Sequence, residues 1–278
     1  MSGSYWSQVH AGGLAVPTDR PLGDLTAELT RMLGSADPAD RDGTAYPTLA
    51  TWIGRGVYDD LLAGLGDGMT AGLTVGIGER ETDSVFRRSF SVLVLGECVE
   101  RATSVDVVPD EKVLRWGDRI AGWLVRERDL RGYVPGKGWA HAVAHGADAL
   151  GTLAEHRAMG RLELTVLLDV IADRLLLPTP YRFLHGEEDR LALATMRILR
   201  RDVVALEVLE PWVARLAAAS RPSFEGAGDP YAVTGNVQAF LRALHLQLAL
   251  APKPPSLRSD LLLVLIDQLK QANPHYLS

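Results

Sequence analysis

The sequence has very little cysteine: Cys98 is the single one among 278 residues. An intrachain disulfide and a cysteine-based zinc site are therefore excluded. Cys98 lies in the apolar segment SFSVLVLGECVE, which favours a buried, unreactive thiol over a nucleophile.

Long apolar runs are also missing. The longest one near the end, LLLVLI, is far shorter than a membrane-spanning helix. The first residues, MSGSYWSQVHAGGLAV, lack a basic start followed by a long apolar run, so no signal peptide is expected. These absences together predict a cytoplasmic protein with no membrane contact.

An excess of basic charge is absent, because 29 Lys and Arg stand against 35 Asp and Glu, which gives a net charge of −6. Nucleic-acid binding needs a basic field, so no nucleic-acid partner is expected. The segment Gly132–Gly138 is no nucleotide P-loop either. Its glycine spacing is one residue too short, and Gly138 replaces the hydroxyl residue that would bind magnesium. No nucleophile elbow and no dinucleotide fingerprint occur.

Helical periodicity is what the sequence does contain. The apolar spacing in LGDLTAELTRMLG, EKVLRWGDRIAGWLVRER, LELTVLLDVIADRLL and NVQAFLRALHLQLAL is typical of amphipathic helices. SFSVLVL is the best strand candidate, but helical spacing continues around it from Ser84 to Arg101.

Short helices separated by Pro- and Gly-rich breaks favour antiparallel neighbours. We therefore predict an all-α fold of about ten helices, in one domain over residues 1–278. The preferred architecture is an α–α superhelix of HEAT-like antiparallel pairs with one concave surface, and a compact irregular bundle is the alternative. Residues 1–20 and 271–278 are expected to be loosely ordered tails.

The richest stretch is RGYVPGKGWAHAVAHGADAL, residues 131–150. Its glycines predict a turn between two helices, where Lys137 could hold an anionic part of a ligand. His141, His145 and Asp148 follow at spacings of four and three, which would place them on one face of a helix.

Two interpretations of this histidine stripe remain open. The imidazoles could bind zinc or iron, with Asp148 as a third ligand or as a hydrogen-bond partner of a ligand. Alternatively, they form a hydrogen-bonded ladder that lines a metal-free pocket. A zincin is excluded, because residue 142 is alanine where that motif needs glutamate.

A second polar cluster, HGEEDR, covers residues 185–190. A helix that begins near Gly186 would carry Glu187, Glu188 and Asp189 in its first turn, where the helix dipole favours acidic residues. That placement needs no function. The alternative is that the glutamates approach His141 and His145 and complete a two-histidine, carboxylate site.

Another polar residue, Asn236, interrupts the apolar helix NVQAFLRALH. A buried amide must find partners. Asn236 is therefore expected to cap or bond a neighbouring helix, and a role in a pocket is the alternative.

Several segments together resemble a family of uncharacterised bacterial proteins that is defined as a domain of unknown function. The resemblance rests on YPTLATWI (46–53), VFRRSFSVLVL (85–95), DLRGYVPGKGWAHAVAHGADAL (129–150), HGEEDRLALA (185–194) and NVQAFLRALH (236–245). It covers roughly residues 45–250 and implies an all-helical fold. It also implies that the following are signature positions: Lys137, Trp139, His141, His145, Asp148, Glu188, Asp189 and Arg190. It implies no reaction, and His185 falls where the family leads us to expect an aromatic residue.

Two hypotheses for function follow. In the first, a concave polar pocket binds a small polar ligand or a divalent metal, Zn or Fe, and carries out hydrolytic or acid–base chemistry. Its catalytic residues would be His141, His145 and Glu188, its metal ligands these three with Asp148, and its other ligand-binding residues Lys137, Trp139, Asp148, Asp189 and Arg190. In the second, the chain is a non-catalytic helical scaffold for a peptide or protein partner.

Overall fold

The computed structural model describes residues 2–220, 229–273 and 276–277, and nearly all of the regular structure in them is helical. These residues form twelve α-helices of nine residues or more and one short helix, so the all-α prediction is confirmed. The helices are α1 (Ser2–Ala11), α2 (Leu22–Met32), α3 (Pro38–Asp40), α4 (Tyr46–Gly54), α5 (Leu62–Gly72), α6 (Ser84–Ser104), α7 (Asp110–Arg126), α8 (Ala142–Glu155), α9 (Arg161–Leu176), α10 (Glu187–Leu199), α11 (Leu206–Ala219), α12 (Ala232–Leu250) and α13 (Arg258–Ala272).

Three short elements supplement the α-helices. A π-helical turn, Arg41–Ala45, leads from α3 into α4, and a 3₁₀ turn, Asp59–Leu61, precedes α5. The strands β1 (Tyr133–Val134) and β2 (Gly138–Trp139) form an antiparallel hairpin just before α8.

The chain divides into two compact units, Met1–Ala149 and Leu150–Ser278, and the division falls within α8. In the first unit α6 packs against α4, α5 and α7, whereas in the second α10 packs against α12 and α11 packs against α13. Helices that are neighbours in the sequence or one apart therefore form most of the pairs. The superhelix and the single domain stay predictions.

Helix α6 forms the centre of the first unit, and buried residues lie around most of its circumference. Val85, Phe90, Leu95 and Val99 are all buried, although they point in different directions around the helix axis. The segment SFSVLVL is thus helical, as the periodicity around it indicates, and it is no strand. Cys98 is fully buried on the same helix, and burial raises the pKa of its thiol, which agrees with an unreactive cysteine.

The N-terminal segment that was expected to be a loose tail contains α1. Trp6 is 2% exposed, and its indole Nε1 donates to Glu28 at 2.9 Å. Further along, Trp52 Nε1 donates to the carbonyl of Leu14 at 2.8 Å. A buried tryptophan contributes about 1.5–3 kcal/mol of apolar burial or more, which helps to hold α1 on the unit. At the other terminus, most of the predicted tail after Asn273 lies outside the described residues.

A fully buried ion pair joins α6 to the chain that leaves α7. Arg88 Nε donates to Glu127 Oε2 at 2.5 Å and Nη2 donates to Oε1 at 2.9 Å, and neither side chain has exposed surface. Arg88 Nη1 also donates to the carbonyls of Val75 and Gly76 at 2.8 and 2.9 Å. Glu127 accepts in addition from Trp123 Nε1 at 3.1 Å. The pair thus has partners for both charges, which a buried ion pair requires.

The second unit is built around α12. Phe240 on this helix meets Trp212 of α11 edge to face at 6.0 Å between ring centroids. Trp212 Nε1 in turn donates to the carbonyl of Leu168 on α9 at 2.9 Å, so one tryptophan links three helices. Among the described residues of the whole chain, no helix is both long and apolar enough to cross a membrane.

Removing one partner of the buried pair should be costly. We expect Arg88→Met to lower the free energy of unfolding by about 3–5 kcal/mol, because Glu127 would remain as a buried, uncompensated charge. Chemical denaturation monitored by circular dichroism would measure this loss. The matched control is Arg215→Met, which removes a half-exposed pair with Asp173 and should cost about 1 kcal/mol or less. Equal losses in the two variants would contradict the argument.

Candidate functional site

The glycine-rich loop is a β-hairpin, so the prediction of a simple helix–helix turn was wrong. Lys137 N donates to the carbonyl of Val134 at 3.0 Å, which closes a turn with Pro135 and Gly136 at its centre. Gly136 has φ +74°, the value that the third position of a type II turn requires. The two strands lie on either side of this turn, and Tyr133 of β1 pairs with Trp139 of β2.

Lys137 lies at the end of this turn and is already paired. Its Nζ donates to both carboxylate oxygens of Asp83, at 2.6 and 2.8 Å, and both side chains are roughly half exposed. The carboxylate neutralises the ammonium group locally, so the lysine holds the hairpin to the start of α6. This pairing weakens the predicted role of Lys137 as an anion-binding residue.

Arg41 holds the hairpin from its other side. The residue has no exposed surface, and its guanidinium donates to the carbonyls of Lys137 and Ser35, both at 2.6 Å. The same guanidinium lies over the rings of Phe86 and Phe90, at 4.0 and 5.0 Å from their centroids. Such cation–π contacts are strongest where water is excluded. Nothing in the sequence pattern indicated Arg41, since one arginine in a polar loop is a common surface feature.

His141 lies one residue before α8, not within it, which corrects the predicted three-residue stripe on one helix. Its φ is +48°, a left-handed conformation that is uncommon outside glycine. Its N–H donates to the carbonyls of Arg131 and Gly132 at 3.1 and 3.3 Å, and its carbonyl accepts from His145 N at 2.9 Å. These bonds on both sides hold the strained backbone, a situation that is most common at functional sites.

Five aromatic rings connect the surface of the hairpin to the core, and we call them the ring series: Tyr133, Trp139, His141, His145 and Phe90. The Trp139 and His141 rings stack at 4.4 Å with an angle of 17° between their planes. His141 and His145 meet at 5.8 Å, and His145 meets Phe90 edge to face at 5.0 Å. The two histidines are 8% and 6% exposed. The structure thus brings together three of the predicted site residues.

His145 has a fixed orientation. Its Nδ1 lies 3.2 Å from the carbonyl oxygen of Ser89 on α6. A carbonyl can only accept, so Nδ1 carries the hydrogen, and in the neutral ring Nε2 is then the acceptor. The same arrangement is usual for catalytic histidines and for histidines that bind metals.

The described residues supply no third ligand for the metal hypothesis. Asp148 lies on α8, half-buried, three residues beyond His145. Within the described part of the chain, no group of three or more His, Cys, Asp or Glu side chains is placed to hold a metal ion.

A tyrosine–glutamate pair near the ring series was not predicted. Tyr46 donates its hydroxyl hydrogen to Glu97 Oε1 at 2.8 Å, and its ring meets Phe90 at 6.3 Å between centroids. Burial raises the pKa of Glu97, and the bond from Tyr46 offsets this in part. The sequence does hold a signal, because Glu97 is the one charged residue in the apolar run VLVLGECV and needs a partner.

In the second unit, α10 begins at Glu187, and the acidic first turn that HGEEDR predicts is confirmed. Glu187 is 2% exposed, and its Oε2 accepts from the backbone N of His185 at 2.8 Å. Glu188 is half-buried, and burial raises the pKa of its carboxyl group. Asp189 is exposed and Arg190 is half-buried.

The loop before α10 is held by Asn236 of α12. Its Oδ1 accepts from Phe183 N, and its Nδ2 donates to the carbonyl of Tyr181, both at 2.9 Å. Asn236 is 1% exposed and does bond a neighbouring segment, but this segment is a loop and not the helix that was predicted. The histidine pair belongs to the first unit and the acidic turn to the second. The approach of Glu188 to His141 and His145 stays a prediction.

These features define an all-α protein with a histidine pair at the junction of a small β-hairpin and the helix that follows it. The chain belongs to the family described as "Protein of unknown function (DUF2785)", which matches residues 73–246, more than half of its length. The hairpin, the histidines and the acidic turn all lie within the matched region, whereas Arg41 and Tyr46 precede it. Neither the curated proteins nor the solved structures that were compared with the chain gave a match.

The left-handed backbone at His141 makes a prediction about stability. His141→Val should lower the free energy of unfolding by about 1–3 kcal/mol more than His141→Asn does, because a β-branched residue is disfavoured at positive φ and asparagine tolerates it. Urea denaturation would measure the difference. The control is the same pair of substitutions at His245, which lies inside α12 and has no positive φ. If valine and asparagine are equally tolerated at position 141, the backbone there is not strained.

The raised pKa of Glu188 predicts a pH dependence of stability. The folded protein keeps this proton at pH values where the unfolded chain, with a pKa near the ordinary value of 4.5, has lost it. The free energy of unfolding should therefore fall as the pH rises through that interval. Glu188→Gln does not lose stability in this way. The difference between its thermal midpoint and that of the parent should therefore become more positive as the pH rises from about 4 to about 8.

The control for this titration is Glu111→Gln. Glu111 also lies in the first turn of a helix, α7, but its side chain is 87% exposed. The thermal midpoint of Glu111→Gln should change with pH in the same way as that of the parent. If the thermal midpoints of Glu188→Gln and the parent differ by the same amount at every pH, the argument is contradicted.

Proposed function

We propose that the chain binds a small polar ligand beside His141 and His145 and acts on it by general acid–base chemistry, with hydrolysis as the reaction class. The conformation of His141 is the observation that carries the proposal. A non-glycine residue at φ +48°, stacked on Trp139 and bonded on both sides of its backbone, is costly to maintain. A plain turn between a hairpin and a helix could use glycine instead.

His145 is the proposed general base. The bond from Nδ1 to the Ser89 carbonyl orients the ring and makes Nε2 the atom that accepts a proton. In a hydrolysis, Nε2 would take the proton of the attacking water, and the resulting imidazolium would return it to the leaving group. Phe90 packs against the edge of this ring and limits its rotation.

Glu97 is a further candidate for acid–base work. It lies on α6, seven residues after Phe90, and it bonds Tyr46, whose ring also meets Phe90. A carboxyl group with a raised pKa can hold a proton closer to neutral pH, as a general acid must. Lys137 receives no anion-binding role, because Asp83 balances its charge.

A divalent metal is the second candidate, and one observation favours it. Histidines that bind Zn or Fe usually donate their other ring N–H to a carbonyl or carboxylate, as His145 does to Ser89. Two imidazoles alone make a weak site, so a metal would need further ligands from water or substrate. The remaining alternative is a helical scaffold that binds a peptide and uses the histidines only to support the fold.

The test is a screen for hydrolysis of p-nitrophenyl esters, p-nitrophenyl glycosides and peptide anilides. For a substrate that turns over, His145→Asn should lower kcat about 10²- to 10⁴-fold, and the parent's rate should rise with pH as the base loses its proton. His245→Asn is the matched control and should leave kcat unchanged. Turnover that His145→Asn does not reduce would contradict the role of the histidine.

Metal content is measured on the same preparations, purified without a histidine tag. Stoichiometric zinc or iron in the parent that is lost in a His141→Ala/His145→Ala variant would favour the metal candidate. A parent with no turnover on the whole panel and no metal would contradict both candidates and leave the scaffold.

A further inference from the structure

The outer end of the ring series is exposed to solvent. Tyr133 is 49% exposed and Trp139 is 40% exposed, and their rings meet at 5.1 Å with an angle of 76°. They are directly opposite each other on the two strands, so their side chains leave the hairpin on the same face. Adjacent exposed aromatic rings of this size mark a binding surface more often than isolated ones do.

This aromatic pair is held rigidly. Arg41 bonds the carbonyl of Lys137 in the turn between the strands. At the base of the hairpin, Arg131 Nε and Nη2 donate to the two carboxylate oxygens of Asp129 at 2.8 and 2.6 Å. Asp129 has no exposed surface and also accepts from Glu81 N at 2.8 Å. A site that exists before the ligand arrives loses little conformational entropy on binding.

The charges around the pair are balanced rather than basic. Lys137 and Asp83 neutralise each other, with 43% and 45% of their side chains exposed, and Arg131 and Asp129 do the same below them. A phosphate-bearing ligand would need a surplus of positive charge. A ligand with hydroxyl groups needs both a donor and an acceptor, and the Lys137–Asp83 pair offers both.

We propose that Trp139 is a stacking platform for a sugar ring and that Tyr133, whose ring is inclined at 76° to it, borders this platform, so that the polar ligand of the proposed site is a saccharide or a glycoside. A pyranose presents a face of C–H groups, which packs on an aromatic ring, and an edge of hydroxyl groups, which bonds to charged side chains. Trp139 offers the larger ring, and the imidazole of His141 lies parallel to it at 4.4 Å. A sugar on the platform is therefore one ring away from the histidine pair. This inference rests on the proposed function, because that function places the ligand beside the histidine pair. The binding test that follows does not depend on it.

The test is ligand-observed saturation-transfer NMR on the full chain with maltotriose, cellotriose, chitotriose, xylotriose, adenosine and inorganic phosphate. We expect binding of at least one of the four trisaccharides. Trp139→Ala should weaken that binding about tenfold or more, while Trp139→Phe keeps most of it, since a flat ring remains. Tyr231→Ala is the control, because Tyr231 is 48% exposed but lies in the second unit, away from the hairpin sequence.

Binding of adenosine without any trisaccharide would overturn the proposal in favour of a nucleobase platform. No trisaccharide binding at all would also overturn it, as would binding that Trp139→Ala and Tyr231→Ala affect equally. Thermal melts of each variant show whether it is folded, and Trp139→Phe keeps the test valid if the alanine variant is not.

The outcome is separable from the proposed function through His145→Asn. This variant should still bind the trisaccharide, because it leaves Trp139 and Tyr133 in place, but it should lose turnover of a glycoside. Trisaccharide binding with turnover that does not depend on His145 would leave the platform intact and contradict the histidine chemistry. Turnover that depends on His145, without trisaccharide binding or any effect of Trp139→Ala, would support the histidine chemistry and contradict the platform.

Discussion

The buried ion pair between Arg88 and Glu127 is the interaction on which the first unit depends. It joins the central helix to the chain that leaves α7, and Arg88 also bonds the loop that precedes α6. Glu127 accepts from the backbone N–H groups of Arg128 and Asp129, both at 2.9 Å, so the pair fixes the direction in which the chain continues. The Asp129–Arg131 pair and the hairpin follow directly. An apolar pair of equal volume could fill the space but could not bond these backbone groups.

The hairpin and the histidines follow that pair in the sequence, and hydrogen bonds and ion pairs connect them to each other and to their surroundings. The glycines permit the tight turn, Arg41 and Lys137 hold it, and the bonds to Arg131 and Gly132 hold His141 in its left-handed conformation. The backbone strain in this region therefore serves to position two imidazoles and a tryptophan, and the simplest connection between helices would not need it. Such backbone strain is the physical reason for our proposal that the ligand binds beside these histidines.

Much of the fold could be predicted, because helical periodicity reports directly on which residues face the core. The helices α6, α10 and α12 lie where their apolar spacing and end signals indicate. The local geometry predicted for the candidate site was wrong, because a hairpin replaces the helix–helix turn and His141 precedes α8. A hairpin of two residues per strand has too few residues for an alternation pattern, and a positive φ at histidine has no sequence signal. Arg41 was missed because its partners lie about 50 and 100 residues away along the chain.

Sequence patterns were sufficient to predict the helical class, the burial of Cys98, the acidic start of α10 and the segment that carries the histidines. Each of these depends on the neighbours of a residue along the chain, where spacing is information enough. Three contacts could be known only from the folded chain: Ser89 orients His145, Trp139 stacks on His141, and Asp83 neutralises Lys137. The first and third contacts join residues from separate elements, and their geometry is set by how α6 packs against the hairpin and α8. The second depends on the left-handed backbone at His141, for which the sequence has no signal.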